Sequence, residues 1–180
     1  MKKKTIITAG ILIVLICLAV LGYNALSGSF SPEVHENTSN NTTKAPDFQV
    51  FTSEGESVTL SGFEGRPVVV NFWATWCPPC KEELPDFNSA FKEYGDRVEF
   101  MMINLTDENE ETIDKVQKFV AEEGYEFPVY YDTLYSATAT YGVRSIPMTV
   151  FVDKQGRISR GFMGMISEEV LVKNIQTLIQ

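Results

Sequence analysis

Apolar positions change rhythm several times along this chain. Thr5 to Leu21 is an uncharged stretch made mostly of Ile, Leu, Val and Ala. From Tyr23 to Lys44 that pattern vanishes into a polar, low-complexity run ending "SGSFSPEVHENTSNNTTK", too poor in apolar surface to fold alone. Short, strongly patterned segments begin at Ala45. Phe48 to Phe51 and Ser57 to Leu60 flank Ser53-Glu54-Gly55-Glu56 and predict a hairpin. "PVVVNFW" (67–73) is a continuous apolar run, as in a strand buried on both faces.

Spacings of three and four residues follow. Leu84, Phe87, Phe91 and Tyr94 predict a helix from the cysteines at 77 and 80 to about Tyr94. "RVEFMMINL" (97–105) predicts a second buried strand. Glu110 to Glu123 predicts an amphipathic helix with Ile113, Val116, Phe119 and Val120 inward, stopped by Gly124. Phe127 to Tyr131 predicts a third strand, and Leu134 to Tyr141 a short helix. "MTVFVD" (148–153) and "ISRGF" (158–162) form a hairpin through Lys154-Gln155-Gly156-Arg157. Ser167 is placed to cap a last helix, with Glu169 and Val170 in its first turn. From residue 67 on the order is β-α-β-α-β-α-β-β-α, which specifies an α/β fold: one open sheet with helices on both faces.

Charge sharpens the picture at the N-terminus. Lys2, Lys3 and Lys4 precede the apolar stretch; without them 12 basic residues face 24 acidic ones, about −12. That balance excludes nucleic acid as a partner, because phosphate contacts need a basic face. The 17 residues of this stretch would cover about 25 Å as a helix, close to a thin hydrocarbon core of about 27 Å. The chain therefore divides into a basic tail (1–4), a membrane signal-anchor or signal peptide (5–22), a tether (23–44) and a folded domain (45–180). Both N-terminal readings put the domain on the extracytoplasmic side of a cell membrane, since the lysines stay inside. Ala25-Leu26-Ser27 is a passable cleavage site for the second of them. Cys17 follows the bulky Ile16, so it reads as a residue of the span and not a lipidation site. His35, the only histidine, lies in the tether.

The remaining two cysteines sit in "WCPPC" (76–80). A closed zinc site needs four ligands, and one Cys pair without a usable histidine does not supply them. A staple closing so small a loop would remove little chain entropy. A redox couple fits the position, after a buried strand and at a helix start. There the backbone N–H groups and the dipole favour a Cys77 thiolate. Pro78 and Pro79 lack N–H groups, so the nearest backbone donor to that sulfur is Cys80. Proline in the first turn costs the helix nothing. Cys77 is thus the attacking sulfur, and Cys80, one turn further in and buried, resolves the mixed disulfide.

The stretch "VVVNFWATWCPPCKEELP", with Pro85 five residues after the second cysteine and "SIPMTVFVD" near residue 145, resembles thioredoxin-like proteins of the TlpA/ResA group over residues 45–180. The resemblance implies a thioredoxin-like fold: a central mixed sheet, helices on both faces and an N-terminal β-hairpin extension. It also implies a membrane-anchored extracytoplasmic thiol–disulfide oxidoreductase with no cofactor and no metal beyond the Cys77–Cys80 couple. Pro147 would be cis and face the cysteines, leaving the Ile146 backbone to pair with an extended substrate. Trp76, Pro78 and Pro79 would border that substrate, and Trp73 would lie in the core. Thioredoxin's buried Asp is replaced here by Asn71, which cannot take a proton. Glu83, three residues beyond Cys80 and on its helix face, matches a Glu that tunes the thiols in the ResA-like branch.

Such proteins reduce disulfide-containing substrates, typically apocytochrome c in cytochrome c maturation. They draw electrons from a membrane thiol reductant of the CcdA/DsbD kind. Two alternatives stay open from sequence: an oxidase that introduces disulfides, and a non-catalytic thioredoxin-like binding module. A peroxidase fits less well, because peroxidatic sites use a lone cysteine.

Overall fold

The structure, a computed structural model, describes residues 43–180; the tail and membrane segment, and nearly all of the tether, lie outside the described residues. The strands are β1 (Gln49–Phe51), β2 (Ser57–Thr59), β3 (Val68–Trp73), β4 (Glu99–Asn104), β5 (Val129–Tyr131), β6 (Met148–Val152) and β7 (Ile158–Met163). The helices are α1 (Pro78–Tyr94), α2 (Ile113–Glu123), α3 (Ser136–Thr140) and α4 (Glu168–Leu178). A single sheet runs in the order β2-β1-β5-β4-β3-β6-β7. β3 lies inside it, parallel to β4 and antiparallel to β6. The N-terminal hairpin β1–β2 extends the sheet through β5. This is the mixed sheet with an N-terminal hairpin that the resemblance implies.

Every residue of β3 is buried, and successive side chains alternate between the two faces. Val69 and Trp73 join the core under α1, α2 and α4; Val68, Val70 and Phe72 join the core that includes Ala137 of α3. Asn71 shares the first face and is fully buried there, a polar side chain that must find partners. The strand therefore ends over the α1 side of the sheet, and α1 begins five residues later.

α1 buries Cys80, Glu83, Leu84, Phe87, Ala90 and Tyr94, one stripe at helical spacing. It packs against α4, whose Leu171, Ile175 and Leu178 are buried. α2 is capped by the Thr112 hydroxyl and ends at Gly124, whose φ of 70° is the left-handed conformation glycine favours. Ser167 caps α4 by accepting the Val170 N–H. Several boundaries differ from the sequence reading by one to three residues, and two of them have a local cause. β5 starts at Val129 and not Phe127, because Pro128 has no N–H for a ladder. α2 starts at Ile113 and not Glu110, because Asp107 gathers the N–H groups of Asn109 and Glu110 into a turn first.

Leu84 holds α1 onto the sheet and is fully buried. Leu84→Ala should cost about 3 kcal/mol of stability, measured by chemical unfolding of the oxidised protein; a loss below about 1 kcal/mol would mean that this face is not packed as described.

Candidate active site

Cys77 is the N-cap of α1, and its sulfur accepts the Cys80 N–H at 3.3 Å. Pro78 and Pro79 occupy the positions that could otherwise supply donors. The two sulfurs are bonded, with the Cα atoms 5.3 Å apart. Cys80 is fully buried and Cys77 nearly so, at 3% exposure. The attacking sulfur therefore meets solvent through a narrow window at the helix tip, while its partner sits behind it.

That window opens into a groove of about 380 Å³ lined by Trp76, Pro78, Pro79, Leu105, Val143 and Ile146, with Arg144 and Ser145 as its polar members. Trp76 is 55% exposed beside Cys77, whereas Trp73 is buried. The Ile146–Pro147 bond is cis, and Pro147 is buried next to the half-buried Ile146. Among the described residues no backbone hydrogen bond engages Ile146. The Pro147 carbonyl accepts the Gly164 N–H at 2.8 Å, which ties the loop after β7 to the same corner. Arg144 forms no ion pair among the described residues.

Glu83 is not a surface charge like its exposed neighbour Glu82; it is 1% exposed. Its Oε1 accepts the Asn71 amide at 2.8 Å, and its Oε2 accepts the Ile166 N–H at 3.0 Å. Asn71 also donates to the Thr149 hydroxyl at 3.1 Å, and its own Oδ1 is buried without a partner. Burial pushes the Glu83 carboxyl from 4.5 up to about 7. The Ile166 N–H and the Asn71 amide pull the other way, and Asp86 adds to the rise. A carboxyl one turn past Cys80 on its own helix face thus changes charge near neutral pH.

Sequence reasoning named both cysteines, Glu83, Pro147 and, of the groove lining, Trp76, Pro78, Pro79 and Ile146. It missed Leu105, Val143, Arg144 and Ser145 of the groove, Thr149, Ile166 and a second buried carboxylate, Glu111. Both Glu111 oxygens are occupied by Thr75: Oε1 accepts its N–H, and Oε2 accepts its hydroxyl. A polar Thr149 within an apolar strand was a usable signal. Glu111 was hidden in the charged run "DENEE". Among the described residues no cluster of three or more His, Cys, Asp or Glu could hold a metal.

Comparison with known proteins places this geometry. Residues 42–160 match the model of the AhpC/TSA family. The chain is 31% identical over 179 residues to thiol-disulfide oxidoreductase ResA of Bacillus thuringiensis subsp. konkukian, covering 99% of each. It is 32% identical over 171 residues to ResA of Bacillus subtilis, covering 94% of this chain and 90% of that one. Among solved structures, a thiol:disulfide interchange protein DsbE from Chlorobium tepidum superposes with a TM-score of 0.69 at 28% identity, covering 78% of this chain and 99% of that one.

The raised Glu83 pKa has a consequence for folding. The folded state holds this proton more tightly than an unfolded chain, so its contribution is full below about pH 4.5 and is lost as pH rises through about 7. The stability of the wild type relative to Glu83→Gln should fall by about 3 kcal/mol across that window, read from denaturant midpoints at a series of pH values. A pH-independent difference would show that the carboxyl titrates normally.

Proposed function

The chain belongs to the AhpC/TSA family and is a ResA-type thiol–disulfide oxidoreductase, and from that premise we propose that it works as a reductase of protein disulfides outside the cytoplasm. In this reading the Cys77 thiolate attacks one sulfur of a substrate disulfide. A mixed disulfide forms and the other substrate sulfur leaves as a thiolate, which takes up a proton. Cys80 loses its proton and attacks the Cys77 sulfur. The second substrate thiol departs, and the Cys77–Cys80 bond remains. Two electrons pass to the substrate; of the two protons its thiols take up, one matches that released by Cys80 and the other that which Cys77 gave to solvent on becoming a thiolate.

The observation that carries the reading is the Cys77–Cys80 pair at the tip of α1 with Glu83 behind it. The Glu83 carboxyl, raised to about 7 and buried one turn beyond Cys80, is placed to take the proton when Cys80 attacks and to return it when Cys80 leaves, so it serves exchange in either direction. The reductive direction is the part of the proposal that the reduction potential decides. Asn71 suits both protonation states: as built it donates to the carboxylate, and with the amide turned its oxygen would accept from the protonated acid. In the groove, the free backbone of Ile146 next to Pro147 would pair with an extended substrate strand. Trp76, Pro78 and Pro79 would cover its flanks.

The surroundings follow from the same reading. Residues 5–22 anchor the chain in the cell membrane, 23–44 tether it, and the domain works on the extracytoplasmic face. A membrane thiol reductant of the CcdA/DsbD kind re-reduces the disulfide. Apocytochrome c, whose paired thiols must be reduced before haem attaches, is the substrate that suits such an enzyme.

Two measurements test this. The Cys80→Ala protein, unable to resolve, should accumulate a covalent adduct through Cys77, and mass spectrometry should identify c-type apocytochromes among the trapped chains; an empty trap contradicts a protein-disulfide substrate. The reduction potential should lie near the thioredoxin value of about −270 mV. A value near −120 mV would reverse the direction and make the protein an oxidase.

A further inference from the structure

Glu111 is fully buried, yet it lies outside α2, one residue before the Thr112 cap. Its carboxylate takes four donors. Oε1 accepts the Thr75 N–H and the Asn104 amide, the latter at 2.9 Å; Oε2 accepts the Thr75 hydroxyl and pairs with the Lys115 ammonium at 3.2 Å. Burying a carboxylate costs several kcal/mol, and an ordinary loop can be held by neutral amides. A carboxylate offers something an amide does not: two acceptor oxygens in one rigid plane, here closed on the main chain and the side chain of a single residue.

That residue stands two positions before Cys77. Between the end of β3 at Trp73 and the start of α1 at Pro78, the internal contacts are local: the Cys77 N–H reaches the Ala74 carbonyl at 3.2 Å. Among the described residues, the hydrogen bonds that tie Ala74, Thr75 or Trp76 to a separate element are those from Thr75 to Glu111. Glu111 is itself fixed. Asp107 accepts its N–H at 3.3 Å, and the Asp107 N–H returns a bond to its carbonyl at 3.1 Å. The Thr106 hydroxyl donates to Asn104 Oδ1 at 2.9 Å, which turns the Asn104 amide nitrogen toward Glu111.

We propose that Glu111 is a positioning residue for thiol–disulfide exchange: by clamping Thr75 it fixes the Trp76–Cys77 segment so that the Cys77 sulfur stays within reach of Cys80 and in line with an incoming sulfur. The inference rests on the enzyme class alone and holds for either direction of electron flow. Displacements of about 1 Å at a reacting atom can cost on the order of a hundredfold in rate, so a partly loosened segment should cost about tenfold. Loosening also lowers the effective concentration of one sulfur at the other. That pushes the couple toward the dithiol.

The test uses the full-length protein, reduced and then mixed with oxidised glutathione: protein dithiol plus glutathione disulfide gives protein disulfide plus two glutathione thiols. Glu111→Gln keeps the shape and removes the charge; Thr75→Val removes only the hydroxyl. Glu111→Gln should slow disulfide formation about tenfold and shift the equilibrium several-fold toward the dithiol. Thr75→Val should do the same to a smaller degree, and the double variant should be no worse than Glu111→Gln, because the two act through one contact. A folded Glu111→Gln protein with wild-type rate and equilibrium overturns the proposal, as does an additive double variant. Should Glu111→Gln fail to fold, a Thr75→Val protein with unchanged rate and equilibrium overturns it equally.

Discussion

The site depends on one capping contact, the Cys80 N–H donating to the sulfur of Cys77 at the first turn of α1. A helix N-terminus leaves several donors without intrahelical partners and carries a positive end of the dipole. In this chain two prolines remove the intervening N–H groups, so what remains is aimed at one sulfur. The contact needs α1 to start a short, fixed distance after a strand that cannot shift, and β3, buried along its whole length between β4 and β6, is such a strand. The same arrangement buries Cys80 behind Cys77, which gives the two sulfurs unequal exposure to solvent and hence unequal roles.

Two buried carboxylates flank this contact, and their partners differ. Glu83 receives two donors, one from a strand amide and one from a loop N–H, and no cation. Its environment makes the neutral acid accessible near pH 7, which suits a group that exchanges protons. Glu111 receives four donors, one of them an ammonium, which suits a group that holds a shape. Both follow the cysteine pair in sequence, yet they grip different parts of the site: Glu83 belongs to α1 itself, and Glu111 reaches back to the segment leading into it. The pairing separates proton handling from placement.

Much of this was legible in the chain. The continuous apolar run at 67–73 has no reading except a strand covered on both faces, and the spacing of Leu84, Phe87 and Tyr94 fixes the buried stripe of α1. The cysteines and Pro147 could be found because their chemistry is bound to a short motif. What failed was whatever depends on distant pieces closing together. In "KEELP" the three-residue spacing from Cys80 and the resemblance set Glu83 apart from Glu82, but its full burial was not legible; the loop after β7, arriving with the Ile166 N–H, completes it as an interior acid. Glu111 ends a run of five charged and amide residues that all look solvated, and its burial follows from the Asp107 turn folding it back against Thr75 and Asn104. The late starts of β5 and α2 are smaller cases of the same limit, because local donors, caps and a proline override the apolar period.

The central claim is that the end of α1 makes the Cys77 sulfur acidic, and the rate of Cys77 alkylation by iodoacetamide in the reduced protein, followed across a pH series, tests it most directly. The account predicts a half-maximal rate well below the free-cysteine value of about pH 8.5, together with ready return of the Cys77–Cys80 bond on mild oxidation. A midpoint at or above that value, with a pair that does not rejoin, would contradict it.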